Sequence, residues 1–335
     1  MPAVLTYELE ARRLAAPFRI SGYVFESTEL VVATLSDGAH RGRGEAAGVY
    51  YLGDTAANVA SVLDANRDAI ERCESRDELR SILPPGGARN AVDCAMWELE
   101  ASRAGKPAWE LAGLDGVRPL VTTFTIGADE PAVMAQKAVG FAGAKSIKVK
   151  LTGELELDIE RVAAIRSARP DAWIGVDANQ GFAIGELDRL VEAMAEQRVS
   201  LIEQPLARSR EADLTGYGSP IPLAADESAL SLEDVAGLVG RFQVLNIKLD
   251  KCGGLTEALL MAEEARRLGL GVMVGNMTGT SLAMAPAFIV GQYCEVVDLD
   301  GPIFMAEDRT PSVVYADGTI WCGDEIWGSG SPVRR

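Results

Sequence analysis

Histidine is nearly missing from this 335-residue chain; the one present, His40, follows a turn signal and is expected at the surface. The cysteines, Cys73, Cys94, Cys252, Cys294 and Cys322, are odd in number and form no CxxC pair, which argues against a disulfide scaffold and for a reduced, cytoplasmic protein. Positive charge is in deficit, with 32 Lys and Arg against 49 Asp and Glu and a net charge of −17. No dense basic tract offsets it, so nucleic acid and anionic membrane surfaces are excluded as partners. The chain also lacks a basic signal-like start and an apolar run of about 20 residues, so no membrane association is expected.

What is present is apolar content for a sizeable core, 48% of residues, and 34 glycines, a composition that suits an α/β protein with tight turns. "AVLTYELEARRL" and "TELVVATLSDG" read as strands. "GDTAANVASVLDANRDAIERC" and "ARNAVDCAMWELEASRAG" read as helices, the second with Ala91, Cys94, Ala95 and Leu99 on one apolar face. Together they predict a small α+β domain over residues 1–116. Apolar runs then recur around Phe124, Ile147, Ile174, Leu201, Leu223, Leu245, Val272 and Val296, with helix-like stretches between most of them. Eight buried strands joined by such crossovers predict a parallel barrel over residues 117–305. The segment 306–335 lacks helix periodicity and is expected to return to the first domain.

The active site of such a barrel gathers at the C-terminal ends of its strands. "GVDANQ", "LIEQP" and "LAADES" place Asp177, Glu203 and Asp226 at three consecutive strand ends, a convergence of anions that is costly without a cation. The ligands are hard oxygens and no histidine or cysteine stands beside them, which predicts magnesium or, in its place, manganese. In "KSIKVKL", Lys148 and Lys150 share one face of a strand, and "LNIKLD" puts Lys248 on the opposite side of the ring. Two lysines flanking a metal-bound substrate suit removal of a proton from a carbon acid and its return from the other side. Lys148 beside Lys150 is expected to lower its neighbour's pKa. Asn179 and Asn246 are expected to orient Asp177 and Lys248. Glu227 either bonds to the metal shell or a lysine, or caps a helix. Asp298 and Asp300 in "VVDLDGP" form an anionic locus away from the triad, so the far end of the substrate is expected to be cationic.

The pieces "KVK", "GVDANQ", "IEQP", "ADES", "NIKLDKCGG" and "VGNM" resemble the enolase superfamily and, within it, the muconate-lactonizing-enzyme-like subgroup. That resemblance covers essentially the whole chain. It implies a modified TIM barrel, (β/α)7β, with an α+β capping domain, Mg2+ on Asp177, Glu203 and Asp226, and Lys150 and Lys248 as acid/base pair, the first serving the S epimer and the second the R epimer. It further implies that Asp298 and Asp300 bind the α-ammonium of a dipeptide whose C-terminal residue is epimerised through an enediolate. Homo-oligomers are compatible with it. The lid of this fold falls on "PFRISGYVFES", where Tyr23, Val24 and Phe25 stand in place of the arginine of L-Ala-D/L-Glu epimerases; Arg19 is the one nearby substitute. With Asn276 and Met277 of strand seven, Arg19, Tyr23 and Phe25 are expected to meet the substrate, and the aromatic lid predicts a small or hydrophobic second residue. Other readings within the subgroup are N-acylamino acid racemisation, o-succinylbenzoate synthesis and cycloisomerisation; outside it, a non-enzymatic metal-stabilised interaction domain.

Overall fold

A computed structural model describes residues 3–20 and 22–329. Strands β1 (Val4–Ile20), β2 (Tyr23–Ser36) and β3 (Arg41–Ala46) form an antiparallel sheet in that order. Its inward residues, among them Leu5, Val31, Ala33 and Leu35, pack against α1 (Ala56–Arg72), α2 (Arg76–Ile82) and α3 (Gly87–Ala104). The hydroxyls of Thr55 and Ser75 cap α1 and α2 by accepting from the amides of Asn58 and Glu78. In α3 the four residues of the expected apolar face are buried, but so is almost every other position. Its second face meets the barrel, where Asp93 accepts from the amide and hydroxyl of Thr256 and Arg89 donates to the carbonyl of Cys252. An amphipathic reading sees one face; a helix wedged between two layers needs both.

After β4 (Leu120–Val121) come the eight parallel strands β5 (Thr123–Ile126), β6 (Ser146–Lys150), β7 (Trp173–Asp177), β8 (Leu201–Glu203), β9 (Leu223–Ala225), β10 (Val244–Ile247), β11 (Gly271–Val274) and β12 (Val296–Val297). They stand in sequence order, each beside its predecessor, as right-handed crossovers of this length require. The protein is a modified TIM barrel. Its crossovers are α-helical except the one between β8 and β9, where the polar, glycine- and proline-bearing stretch 207–222 forms only a 3-10 turn, Glu211–Leu214. No ladder joins β5 to β12 among the described residues. Instead Thr123 Oγ1 donates to Asp298 at 2.5 Å, the amide of Leu299 to Thr122 Oγ1 at 3.0 Å, and the amide of Thr125 to Asp300 at 2.7 Å. Side chains close the ring where strands stop short.

Beyond the ring, β13 (Val314–Ala316) and β14 (Thr319–Trp321) pair as a hairpin and β14 joins β4. Further on, Trp327 Nε1 donates to the carbonyl of Arg43, and Arg43 donates to the carbonyl of Ile326. A buried carboxylate ties the layers together. Glu45 of β3 accepts from the amide and hydroxyl of Thr280, which caps helix Ser281–Gly291, and from Arg309 at 2.8 Å. Arg309→Met strands that carboxylate without its cation and is expected to cost about 3–5 kcal/mol. A lower urea midpoint at unchanged slope would report it; an unmoved midpoint would mean that Thr280 alone satisfies Glu45.

Candidate active site

The side-chain alternation of β6 turns Lys148 and Lys150 inward while Ile147, Val149 and Leu151 enter the surrounding core. Strand register then sets the row: Lys150 lies opposite Asp177, and Asp177 opposite Glu203. Asp226 follows β9 immediately. The three carboxylates are buried, and each offers an oxygen within 4.8 Å of the others. Gln204 helps to set them, its side-chain oxygen accepting from the amides of Asp226 and Ser228. Asn246 donates to Glu203 at 2.7 Å, and the amide of Asn179 donates to Asp177 at 3.0 Å.

Lysines balance this charge. Lys150 lies 2.5 Å from Asp177 and Lys248 2.7 Å from Asp226. Three strands, β7 to β9, separate β6 from β10 in an eight-stranded ring, so the two amines stand on opposite flanks with the carboxylate row between them. Burial by itself would lower the pKa of Lys248, but Asp226 outweighs it and holds the amine above the usual lysine range. Lys148 is not left facing Lys150 alone. Its ammonium sits among Glu203, Asp298 and Asp177 at 2.7, 2.9 and 3.1 Å. Burial opposes its charge, yet Asp298 and the other carboxylates raise its pKa, so its main electrostatic work is to offset acids. Burial pushes Asp177 up, but Lys150 and Lys148 prevail and bring it below the ordinary range. Glu203 has less help, and burial together with Asp177 raises it.

The donor set fits a divalent cation. Besides the three carboxylates, the buried oxygens Asn179 Oδ1, Asn246 Oδ1 and Glu227 Oε2 have no hydrogen-bond partner among the described residues, an expense that a hydrated cation and a substrate would relieve. Glu227 is raised above the usual range by burial and by Asp226. Close packing guards the same spot: a Cβ on Gly275 would come within 2.8 Å of Asn246 Oδ1 and 3.0 Å of Lys248 Cε.

A cavity of about 230 Å³ opens onto Lys150, Lys248, Asp226, Glu227 and Asn179. Its other walls include Leu14, Phe18, Ile20, Phe25, Asn276 and Met277. Asn276 also donates to the carbonyl of Asp298 at 2.6 Å. Arg19 and Tyr23 instead line an outer groove with Asp129, Glu130 and Arg161, and Arg19 is exposed. Asp298 and Asp300 are buried at the ring's seam. Burial opposes the charge of Asp298, but Lys148 and Thr123 lower its pKa; burial and then Asp298 raise that of Asp300. A larger open groove, about 1000 Å³, lies on the cap around Ile70, Cys73 and Met96, away from these groups.

Several functional neighbours escape a strand-end reading. Lys251, one turn past β10, is fully buried and donates to Asp226 at 2.5 Å. Asp250 reaches out to the cap. Tyr50 and Tyr51, in a cap loop, line the cavity. The signal available for these was weak: a charged pair directly after a strand, and two adjacent aromatics before a Leu-Gly-Asp turn.

Residues 131–325 match the family model described as "Enolase C-terminal domain-like". The chain is 42% identical over 243 residues, 72% of its length and 76% of the relative's, to an N-acetyl-D-glutamate racemase of Pseudoalteromonas sp. It is 37% identical over 322 residues, 96% of its length and 99% of the relative's, to the L-Ala-D/L-Glu epimerase of Escherichia coli strain K12. Among solved structures it is similar to an enolase family member from Agrobacterium tumefaciens with homology to dipeptide epimerases, bound to sodium and L-Ala-L-Glu, at TM-score 0.93 and 41% identity, covering 98% of this chain and 100% of that one. It is also similar to the dipeptide epimerase of Enterococcus faecalis complexed with Mg and L-Leu-L-Tyr, at TM-score 0.91 and 27% identity, covering 98% and 99%.

Proposed function

The chain belongs to the enolase superfamily, and from that premise we propose that it is a magnesium-dependent dipeptide epimerase inverting the α-carbon of the C-terminal residue. The observation that carries the reading is the pair of lysines on opposite flanks of one carboxylate row, both lining the same cavity. In this reading one amine takes the α-proton and the other delivers a proton to the opposite face, so the two exchange roles when the direction reverses. When held by Asp177, Glu203 and Asp226, a magnesium ion, or manganese in its place, supplies the positive charge that the substrate carboxylate needs once its α-proton has gone. Burial of the lysines restricts the access of bulk water to the reacting carbon.

The seam aspartates distinguish a dipeptide from other carbon acids. Lys148 already offsets Asp298, whereas the hydrogen bond described for Asp300 comes from a neutral amide. An incoming α-ammonium therefore finds its main partner in Asp300. Asp300→Asn is expected to lower kcat/KM for dipeptides by about 30-fold or more while leaving N-acylated amino acids untouched; unchanged dipeptide turnover would remove the ammonium site from the reading. For the second residue, Phe18, Ile20, Phe25 and Met277 offer apolar walls, and among the described residues the only cations lining the cavity are Lys150 and Lys248. A glutamate side chain would lack the forked partner that an arginine gives, so a small or hydrophobic residue fits better.

The similarity to an N-acetyl-D-glutamate racemase favours N-acylamino acid racemisation as a second reading. An acyl amide brings no cation to Asp300, which counts against it. Deuterium incorporation at the α-carbon across a mixed dipeptide library, in D2O with magnesium and read by mass, tests both. Exchange in a subset is expected; exchange of N-acylamino acids with none in any dipeptide would transfer the assignment.

A further inference from the structure

The loop between β3 and α1 is fastened to the barrel beside a reacting lysine. The amides of Ala47 and Gly48 both donate to one oxygen of Asp250, at 2.9 and 3.0 Å, and Asp250 lies two residues after Lys248. Gly48 has a left-handed φ of 70°, and a Cβ there would fall 2.0 Å from the carbonyl oxygen of Asp54, so only glycine makes the turn. A 3-10 turn, Tyr50–Leu52, follows. The Tyr50 ring stands edge-on to Tyr51 at 5.2 Å, to Phe25 at 5.2 Å and to Tyr23 at 4.7 Å. Backbone and rings thus hold Tyr50, and Tyr51 packs against its ring.

Tyr51 lines the cavity that holds both lysines, yet its hydroxyl oxygen is buried and has no hydrogen-bond partner among the described residues. Leaving such a group unsatisfied is costly, and a free protein accepts that cost where a ligand will complete the bond. Burial, then Asp226 and Glu227, raise the phenol's pKa, so it stays a donor. The bond it lacks is to an acceptor. Glu227 Oε2 is unpartnered too, so the two are not bonded to each other. We propose that Tyr51 is a substrate-positioning residue whose hydroxyl donates to the carboxylate of the dipeptide's C-terminal residue from the cap side. This rests on the dipeptide epimerase reading. It gives the cap a direct hold on the reacting end, and it does so without adding a third cation to a wall that already carries two lysines.

Tyr51→Phe tests it, because the ring and its packing against Tyr50 remain and only the oxygen goes. Removal of a hydrogen bond to a charged group is expected to lower kcat/KM for an exchanging dipeptide by about tenfold to a hundredfold. Thermal stability of the ligand-free protein should be unchanged or higher, since the variant no longer buries an unsatisfied group. A structural role predicts the reverse. Activity within twofold of the parent, or a loss of activity that tracks a lower Tm, overturns the proposal. A parent protein that exchanges no dipeptide fails at the earlier step, in the epimerase reading itself, and takes the proposal with it.

Discussion

Lys150→Ala is expected to abolish net epimerisation in both directions, by about 100- to 10,000-fold, while α-proton exchange survives from one epimer only. The reason is geometric. Lys150 and Lys248 approach from flanks separated by the carboxylates of three intervening strands, so neither amine can serve both faces of one carbon. In the variant Lys248 can still take and return a proton on its own side, which washes deuterium into the R epimer without inverting it. Lys248→Ala should give the mirror result, with exchange retained by the S epimer. Mass spectrometry of each pure epimer in D2O separates the two. Equal exchange from both epimers in either variant would sink the two-base assignment, and so would residual racemisation at a rate near the parent's.

Stripping divalent cations with EDTA is expected to reduce turnover by about 1000-fold or more, and excess magnesium to restore it. Asp177, Glu203 and Asp226 are buried within 4.8 Å of one another. In the structure the lysines compensate them: Lys150 on Asp177, Lys248 and Lys251 on Asp226, Lys148 on Asp177 and Glu203. Left in that arrangement, the two amines proposed to accept protons are engaged by carboxylates. A cation that takes up the carboxylate charge frees them. Thermal unfolding offers a readout apart from activity, since a cation bound at 100 times its Kd stabilises the folded protein by about 2.7 kcal/mol. Full turnover in thoroughly chelated protein would eliminate the metal from the chemistry.

Much of this centre was legible before any coordinates, for a definable reason. Parallel strands two to five residues long are bracketed by apolar runs, and the polar residue that interrupts each run, Asp177 or Glu203 or Lys248, falls at a strand end by simple counting. What could not be counted is what the closed ring brings together. Lys148 meets Asp298 across 150 residues of chain, so its acidic surroundings are invisible to a reading that sees only Lys150 beside it. Tyr51 and Asp250 belong to a cap loop and a post-strand turn whose contact depends on how two layers dock. Arg19 illustrates the converse: flanked in sequence by two cavity residues, it sits on a strand whose alternation sends it outward while Phe18 and Ile20 line the cavity.

The join between the first and last staves of the barrel has a consequence for how this protein can diverge. Asp298 and Asp300 hold that join through Thr123 and Thr125, and Asp300 is also the proposed partner of the substrate's ammonium. With that proposed role, recognition and closure become one trait rather than two. Substrate should slow amide hydrogen exchange at Thr125 and Leu299, whose amides bond across the join in opposite directions. A descendant that abandons free dipeptides for acylated substrates cannot simply discard the two aspartates. It must first acquire another way to keep its ring shut.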